Sequence, residues 1–305
     1  MEQIITVEHL KKYYKDVKAV DDISFSVNKG EMFGFLGING AGKSTTINIL
    51  CTLQEPTEGK ITVNGLEIGK NREEIKQHIG VVYQNNCLDK RLTVKENLLF
   101  RGSLYEQNKM VLKKNLHDVT EILELKDVLN RPFGKLSGGQ KRRCEIARAL
   151  MHTPDILFLD EPTTGLDPAT RKGVWKTIHK LQADMGMTVF LTTHYMEEAA
   201  KADHIGIIDH GHLVEYGTPF SLKEKYAKDN LYLIPKAECV EAVERNLKQA
   251  EKRYVRQEER ILVKIENTLS AMPLLDGMGH MLQGFEVIQG TMDDVFLNVT
   301  EGGQE

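Results

Sequence analysis

The sequence predicts an α/β domain built around a mostly parallel sheet, followed by a small α+β domain, and three observations support this prediction. Short apolar runs alternate with helical patterns from residue 1 to about 220, as in a parallel sheet covered by helices. A polar helical stretch without comparable runs interrupts the alternation at about 90–150. Near residue 225 the order changes to β-α-β-β-α-β, which is the order of a ferredoxin-like split unit.

The strands of the first domain are predicted from runs that are apolar at nearly every position. "MFGFLG" (32–37), "DILFLD" (155–160) and "TVFLTT" (188–193) have the length and composition of strands buried on both faces. We predict a first domain over 1–222, with a helical subdomain inserted at about 90–150. We predict a small accessory domain over 228–305, with its charged helix faces in solvent.

The composition is that of an ordinary globular protein. Of the 305 residues, 41% are hydrophobic and 28% are charged, which is enough apolar material for a sizeable core. The formal net charge of −4 argues against a nucleic-acid partner, because nucleic-acid-binding domains usually carry a basic face. The first residues lack the order of a signal peptide, and no apolar run approaches the roughly 20 residues of a membrane span. We therefore expect a cytoplasmic chain.

The four cysteines are scattered along the chain and show no metal-ligand spacing. Cys51 and Cys144 fall on apolar positions of predicted helices, so we expect reduced, buried thiols rather than a redox or metal site.

A phosphate-binding loop is predicted between the first buried strand and the helix after it. Gly37, Gly42, Lys43 and Ser44 have the G-x-x-x-x-G-K-[ST] spacing of a Walker A motif, and the strand–loop–helix context is the one that the motif requires. Glycines let consecutive N–H groups turn inward around an anion, and the helix N-terminus adds its dipole. Lys43 would contact the β- and γ-phosphates of a nucleoside triphosphate, and Ser44 would ligate Mg²⁺. The other positions assigned to nucleotide binding here are Asn39, Gly40, Ala41 and Thr45.

Two adjacent acids end the strand "ILFLD". Ligands of open α/β sheets bind at the carboxyl ends of the strands, and two buried acids repel each other unless a metal or water needs them. Asp160 suits Mg²⁺, directly or through water, and Glu161 suits the base that activates a water. The alternative is a strand that ends at the surface with two solvated acids.

The stretch "LSGGQKRRCEIARAL" (136–150) predicts a helix with an unusual start. Ser137 can cap it, but Gly138 and Gly139 are poor helix formers. Three cations, 141–143, then lie near the helix end that already carries partial positive charge. No acid balances them in the first turn. We interpret this helix start as one that an external anion completes.

With "LSGGQ" between the Walker A motif and "LFLDE", residues 1 to about 220 resemble the ATP-binding subunits of ABC transporters. The resemblance implies an ATPase with a P-loop NTPase core and head-to-tail pairing of two such domains, identical or paralogous. Each signature, Ser137 to Gln140 in this sequence, would then close on the γ-phosphate of ATP held by the partner. The chain would use ATP and Mg²⁺ as cofactors.

Other positions match the family residue by residue. Tyr14 matches the aromatic that stacks on adenine, although neighbouring Tyr13 is an alternative. Gln84 matches the Q-loop glutamine, which senses Mg²⁺ and water, and His194 matches the switch histidine on the γ-phosphate. Asp167 lies in the loop that crosses the dimer interface, and with Pro168 it also has the pattern of an ordinary helix start.

The family resemblance also implies a separate integral-membrane permease, so that the chain would be peripheral on the inner face of the cell membrane. Residues 85–100 match the region that receives a coupling helix of the permease. The stretches 192–211 and 290–302 resemble subunits of ABC-2 type drug exporters. The alternatives are a soluble ABC ATPase acting on a nucleic-acid or ribosomal partner, and a binding module without turnover. Transported molecule, direction of transport, pairing type and the role of the C-terminal domain stay open.

Overall fold

The computed structural model describes residues 2–300, which form two compact units that divide between Tyr216 and Gly217. The strands that begin before that boundary are β1 (Gln3–Tyr14), β2 (Val17–Asn28), β3 (Met32–Leu36), β4 (Glu58–Val63), β5 (Leu66–Glu67), β6 (Ile79–Val82), β7 (Ile156–Asp160), β8 (Thr188–Thr193), β9 (His204–Asp209) and β10 (His212–Gly217). The helices are α1 (Lys43–Leu50), α2 (Arg72–His78), α3 (Val94–Gly102), α4 (Lys109–Ile122), α5 (Gly138–Leu150), α6 (Pro168–Met185) and α7 (Met196–Ala199).

The central sheet of the first unit has six strands in the order β10-β9-β3-β8-β7-β6. The pairs from β9 through β3, β8 and β7 to β6 are parallel. The three predicted runs are β3, β7 and β8, and all of their residues are buried except Asp160, which is half-buried. Because parallel strands end at one edge of a sheet, the loops after β3, β6, β7 and β8 meet there.

A second sheet of the first unit is antiparallel, in the order β2-β1-β4-β5, and it was not predicted from the sequence. It packs on the central sheet through an aromatic cluster. Phe25 of β2 stacks on Phe33 of β3, with ring centroids 5.4 Å apart, and also contacts Phe35 and Phe190. Burial of several large rings is the main stabilising term at this junction.

The predicted helical stretch is present as α3, α4 and α5, and the described chain forms no named strand between β6 and β7. Thr93 begins α3 with a capping box that includes Glu96. Two short 3₁₀ turns, Lys126–Val128 and Phe133–Lys135, lead into α5.

The second unit contains α8 (Pro219–Tyr226), β11 (Asp229–Pro235), α9 (Val240–Gln249), β12 (Tyr254–Gln257), β13 (Arg260–Ile265), α10 (Met272–Met278), β14 (Leu282–Ile288) and α11 (Met292–Thr300). The predicted β-α-β-β-α-β order runs from β11 to β14, and the antiparallel sheet has the order β12-β13-β11-β14. The second helix is shorter than predicted, because 3₁₀ turns flank α10 on both sides. Of the exporter-like tail, residues 301–302 lie outside the described part of the chain.

The described cysteines are free, and Cys51 and Cys144 are buried as expected. Burial raises the pKa of the Cys51 thiol well above its ordinary value and that of Cys144 to about 12, so both stay protonated and unreactive at neutral pH. Within residues 2–300, we find no helix with the length and apolarity to cross a bilayer.

Candidate active site

The loop between β3 and α1 can form only with glycine at two positions. A Cβ on Gly37 would lie 2.4 Å from the carbonyl oxygen of Ile208. Gly42 has φ +114°, and a Cβ there would lie 2.5 Å from the carbonyl oxygen of Ala19. Gly42 is also the N-cap of α1, so no side chain caps the first amides of this helix. The loop therefore presents uncapped N–H groups at a helix start, as an anion cradle requires.

Lys43 is the first residue of α1, and only 5% of it is exposed. Its Nζ donates to the carbonyl oxygens of Gly37 (2.8 Å) and Ile38 (2.9 Å), which holds the ammonium against the loop. Burial lowers the pKa of Lys43, and the nearby carboxylates of Glu161 and Asp160 oppose this shift. A buried cation in this position favours an anionic ligand.

The remaining loop positions differ in exposure. Asn39, Gly40 and Ser44 are exposed, Thr45 is half-buried, and Ala41 is buried. Ser44 is therefore accessible to solvent beside the loop.

Glu161 lies at the centre of the site. Its Oε1 is 3.2 Å from His194 Nδ1 and 3.8 Å from Lys43 Nζ. Its Oε2 accepts hydrogen bonds from Thr164 Oγ1 (3.0 Å) and Gln84 Nε2 (3.4 Å). The structure thus brings together the residues predicted at the ends of β3, β6, β7 and β8 around one carboxylate.

Asp160 is held by Thr192, which sequence reasoning missed. Thr192 Oγ1 donates to Asp160 Oδ1 (2.6 Å) and accepts from the backbone N–H of Glu161 (3.1 Å). One hydroxyl on β8 therefore orients both acids at the end of β7. The signal that could have identified Thr192 is its position two residues before His194, in a strand that pairs with β7.

A second carboxylate behind the site was also missed. Glu198 in α7 is only 2% exposed and accepts hydrogen bonds from the hydroxyls of Thr163 and Thr193, the latter at 3.0 Å. It thereby joins the segment after Glu161 to the end of the strand before His194. A buried, fully engaged carboxylate of this kind restricts the relative positions of the two segments.

The start of α5 has a capping box, which the sequence reasoning did not include. Ser137 Oγ accepts from the N–H of Gln140 (3.3 Å), and Gln140 Oε1 accepts from the N–H of Ser137 (3.0 Å), so a capping box satisfies both groups. Arg142 is buried and donates to the carbonyl oxygens of Tyr83 and Asp160. Of the three cations near the helix start, Arg142 therefore binds backbone oxygens of the same chain.

The loop after Glu161 places Asp167 as the N-cap of α6, with Pro168 in the first turn, as its pattern predicts. Asp167 Oδ1 accepts from the Thr170 N–H (3.0 Å), and hydrogen bonds from the Thr170 side chain and N–H lower the pKa of this carboxyl.

The two signature glycines differ in the space around them. A Cβ on Gly139 would lie 2.6 Å from Thr170 Cγ2, whereas a Cβ on Gly138 would make only an ordinary van der Waals contact, 3.4 Å from Leu166 Cδ2. In the described chain, no hydrogen bond or ion pair joins residues 137–140 or Asp167 to Lys43 or Glu161.

The two candidate tyrosines end β1. Tyr14 is 42% exposed, its hydroxyl donates to Gln54, and Lys12 Nζ lies 5.1 Å from its ring centroid. Tyr13 is half-buried, and its hydroxyl donates to Asp21 Oδ1 (2.6 Å). Tyr14 thus has the more accessible ring, and stacking on a base requires such a ring.

The oxygen donors near the loop suit Mg²⁺ better than a transition metal. They are the Ser44 hydroxyl, the Asp160 carboxylate and the amide oxygen of Gln84, which are hard donors. Residues 2–300 contain no group of three or more His, Cys, Asp or Glu side chains arranged to hold a metal ion. This donor set therefore fits an ion that is bound together with phosphate oxygens of a nucleotide.

A sequence model of the ABC transporter family matches residues 20–164. The linearmycin resistance ATP-binding protein LnrL of Bacillus subtilis (strain 168) is 43% identical over 229 residues, which are 75% of this chain and 73% of LnrL. The chain belongs to the ABC transporter family. Its first unit is an ABC ATPase domain, and the parallel sheet with its inserted helices is the core of that fold.

Other members of the family differ in how much of their length they share with this chain. YbhF of Escherichia coli (strain K12), a probable multidrug ABC transporter ATP-binding protein, is 40% identical over 75% of this chain, but the match covers only 39% of YbhF. The daunorubicin resistance ATP-binding protein DrrA2 of Streptomyces coeruleorubidus is 33% identical over 97% of this chain and 94% of its own length. The match to DrrA2 therefore extends over both units.

A solved structure supports the fold of the ABC ATPase core. The dimeric, post-hydrolysis state of the ATP-binding cassette MJ0796 bound to ADP and Pi aligns with a TM-score of 0.64 and 27% identity. The alignment covers 70% of this chain and 98% of MJ0796. The second unit therefore lies mostly outside this comparison.

Proposed function

We propose that this chain is the ATP-hydrolysing subunit of an exporter, and that it binds Mg-ATP between two head-to-tail ATPase domains. The observation that carries the proposal is the convergence of Lys43, Gln84 and His194 on the carboxylate of Glu161. A carboxylate with a cation, an amide and an imidazole around it suits in-line attack of water on a phosphoryl group. The dimeric state of MJ0796 with ADP and Pi supports the paired arrangement.

The roles of the residues follow from their positions. Glu161 accepts a proton from the attacking water, and His194, 3.2 Å away, holds that water against the γ-phosphate. Lys43 and the uncapped amides of α1 stabilise the negative charge that develops on the phosphate oxygens. Ser44, Asp160 and Gln84 would hold Mg²⁺, which neutralises phosphate charge when bound. Ser137 to Gly139 of the partner subunit would close the site from the opposite side.

The transport direction and the partner are inferred from named relatives. LnrL and DrrA2 carry names of drug resistance proteins, and YbhF carries that of a multidrug transporter. We infer export through a separate permease of the ABC-2 type, with the chain peripheral on the cytoplasmic face of the membrane. The exposed apolar residues of α3 and the loop after it, including Phe100 and Leu104, support the docking region predicted near 85–100. The net charge of −4 disfavours the alternative of a soluble ATPase on nucleic acid or ribosomes.

The test is the variant Glu161→Gln, examined by size exclusion with and without Mg-ATP. The amide cannot accept the proton of water, so we expect hydrolysis to fall by at least about 100-fold while ATP binding persists. The variant should then accumulate as an ATP-dependent dimer. Glu31→Gln is the matched control, because Glu31 is a buried carboxylate that lies just before β3, away from the loop. A Glu161→Gln protein that binds ATP and stays monomeric would contradict the shared-site mechanism.

A second experiment tests the partner. Membranes of the source cell are solubilised, and the proteins that co-purify with the Glu161→Gln variant in Mg-ATP are identified. We expect an integral-membrane protein without an ATPase domain of its own, and we expect that protein to stimulate wild-type hydrolysis. Stimulation by ribosomes or nucleic acid instead would favour the alternative.

A further inference from the structure

Three charged side chains of α5 hold the backbone of residues 81–88 on both sides of Gln84. Arg148 Nη2 donates to the carbonyl oxygen of Val81 (2.6 Å), and Arg142 Nη1 donates to that of Tyr83 (2.5 Å). Beyond Gln84, Glu145 Oε1 accepts from the backbone N–H groups of Cys87 (2.6 Å) and Leu88 (3.0 Å). These contacts hold the backbone before and after Gln84 against α5.

Glu145 is 1% exposed, and both of its oxygens are engaged. Oε1 takes the two N–H groups, and Oε2 accepts from Arg148 Nε (2.9 Å). A buried carboxylate is costly unless it is fully hydrogen-bonded, and here the bonds go mainly to backbone atoms of another segment. The position of Cys87 and Leu88 is therefore tied to that of α5.

Arg142 makes a second connection, to the strand that carries the acids. It is 5% exposed, and its Nη2 donates to the carbonyl oxygen of Asp160 (3.2 Å) while Nη1 holds Tyr83. Burial lowers the pKa of the guanidinium to about 10, but the group stays charged at neutral pH. One planar group thus joins the segment before Gln84 to the residue before Glu161.

Only residues 84–86 of this segment are exposed. Gln84 Nε2 lies 3.4 Å from Glu161 Oε2, and the backbone on either side of it is held. We propose that Glu145 and Arg142 are positioning residues, which fix Gln84 relative to Glu161 by binding residues 81–88 to the helix that begins with the signature motif. This proposal rests on the function proposed above. It implies that residues 81–88 and the signature helix of one chain move as one body.

The test compares Glu145→Ala with Glu145→Gln in the full-length chain. The amide oxygen of glutamine can still accept the two N–H groups, whereas alanine cannot. We expect Glu145→Ala to lower kcat of ATP hydrolysis by about 10- to 100-fold with little change in KM for ATP, because Lys43 and the loop are untouched. Glu145→Gln should keep most of the wild-type kcat. Glu31→Ala is the matched control, since it removes a buried carboxylate that accepts from the N–H of Asn28 far from the site.

Two further measurements distinguish positioning from simple stabilisation. Hydrogen exchange at the amides of Cys87 and Leu88 should accelerate in Glu145→Ala and not in Glu31→Ala. Arg142→Lys keeps the charge but cannot hold the carbonyl oxygens of both Tyr83 and Asp160, so it should lower kcat in the same way. If Glu145→Ala does not fold, the kcat of Arg142→Lys tests the proposal instead. Folded Glu145→Ala and Arg142→Lys proteins with wild-type kcat would overturn the proposal. Absence of hydrolysis by the wild-type chain, even with its permease, would instead overturn the proposed function.

Discussion

At the scale of single residues, the backbone of Glu161 has a conformation that is unfavourable for a residue other than glycine. Its φ is 44°, which is in the left-handed region and costs a non-glycine residue about 1–3 kcal/mol. The N–H bond to Thr192 and the hydroxyl of Thr164 on its carboxylate stabilise this conformation. Strain therefore falls on the residue that we propose as the base, and the neighbouring strand supplies the hydrogen bonds that maintain it.

His152, just after α5, is a residue whose protonation should oppose folding. Its Nε2–H donates to the carbonyl oxygen of Ile79 (3.0 Å), and its ring stacks on Tyr105 with centroids 4.1 Å apart. Nδ1 is buried and has no hydrogen-bond partner among the described residues. Burial lowers the pKa of His152 below 6.5, and the bond to Ile79 only partly offsets this. A proton on Nδ1 would therefore be buried without an acceptor.

This arrangement predicts a loss of stability in mild acid. The unfolded chain takes up the proton at about pH 6.5, before the folded chain does, so the free energy of unfolding falls as the pH drops below that value. The loss is at most about 1.4 kcal/mol per pH unit. His152→Gln keeps a donor for Ile79 but does not titrate, so its stability should fall less between pH 7.5 and 5.5. Urea unfolding of both proteins at the two pH values measures the difference; equal losses would contradict the prediction.

At the scale of elements, different residues of α5 have different structural roles. Its first turn is closed by the capping box of Ser137 and Gln140. Its buried charges hold the segment around Gln84, and its glycines allow close approach to α6. The contact of Gly139 with Thr170 is the tightest of these approaches, because an added Cβ would lie 2.6 Å from Thr170 Cγ2.

This contact predicts different effects for alanine at the two signature glycines. Gly138→Ala should leave the free energy of unfolding unchanged or slightly higher, because its Cβ meets Leu166 at 3.4 Å and alanine favours helix. Gly139→Ala should be less stable than Gly138→Ala by about 1–2 kcal/mol, a common cost of overpacking. Adding Thr170→Ser removes the clashing methyl but keeps the hydroxyl, so the double variant should recover most of the loss. Denaturant unfolding of the four proteins measures this. A Gly139→Ala protein as stable as Gly138→Ala would contradict the contact.

The elements that the sequence predicted well are those with strong local patterns. β3, β7 and β8 come from runs that are apolar at nearly every position. The glycines before Lys43 have the spacing of the Walker A motif, which is specific to phosphate-binding loops. In the antiparallel sheet, β1 and β2 form a local hairpin across Lys15 and Asp16 that the sequence reasoning overlooked, whereas the pairing of β1 with β4 joins segments far apart in the chain and leaves no local pattern. Arg142 and Glu145 look like surface charges in sequence, since their burial depends on where residues 81–88 pass. The capping box at the start of α5 was missed because Gln140 was not recognised as the partner of Ser137, and the external anion at this helix start stays a prediction.

At the scale of the whole molecule, each unit has a hydrophobic core of its own. The second unit packs α9 and α10 on its sheet around residues such as Leu231, Val243 and Val263. All residues predicted to contact nucleotide lie between Tyr14 and His194, within the first unit. The residues that we propose for the nucleotide site therefore all belong to the first unit and are separate in sequence from the second. This separation leaves dimer stabilisation and regulation open as roles for the second unit.

The separation predicts that a fragment of residues 1–218, which keeps all of β10, folds and binds Mg-ATP with the affinity of the full chain. The physical reason is that the hydrogen bonds described for Lys43 and Glu161 come from first-unit residues, such as Thr192 on the N–H of Glu161 and Gln84 on its carboxylate. Titration calorimetry of the fragment and the full chain measures the two affinities. Full-length Lys43→Ala is the control, because it removes the buried cation and should bind ATP weakly in spite of an intact second unit. A folded fragment that binds ATP much more weakly than the full chain would show that the second unit contributes to the nucleotide site, and the assignment of that site to the first unit alone would then be wrong.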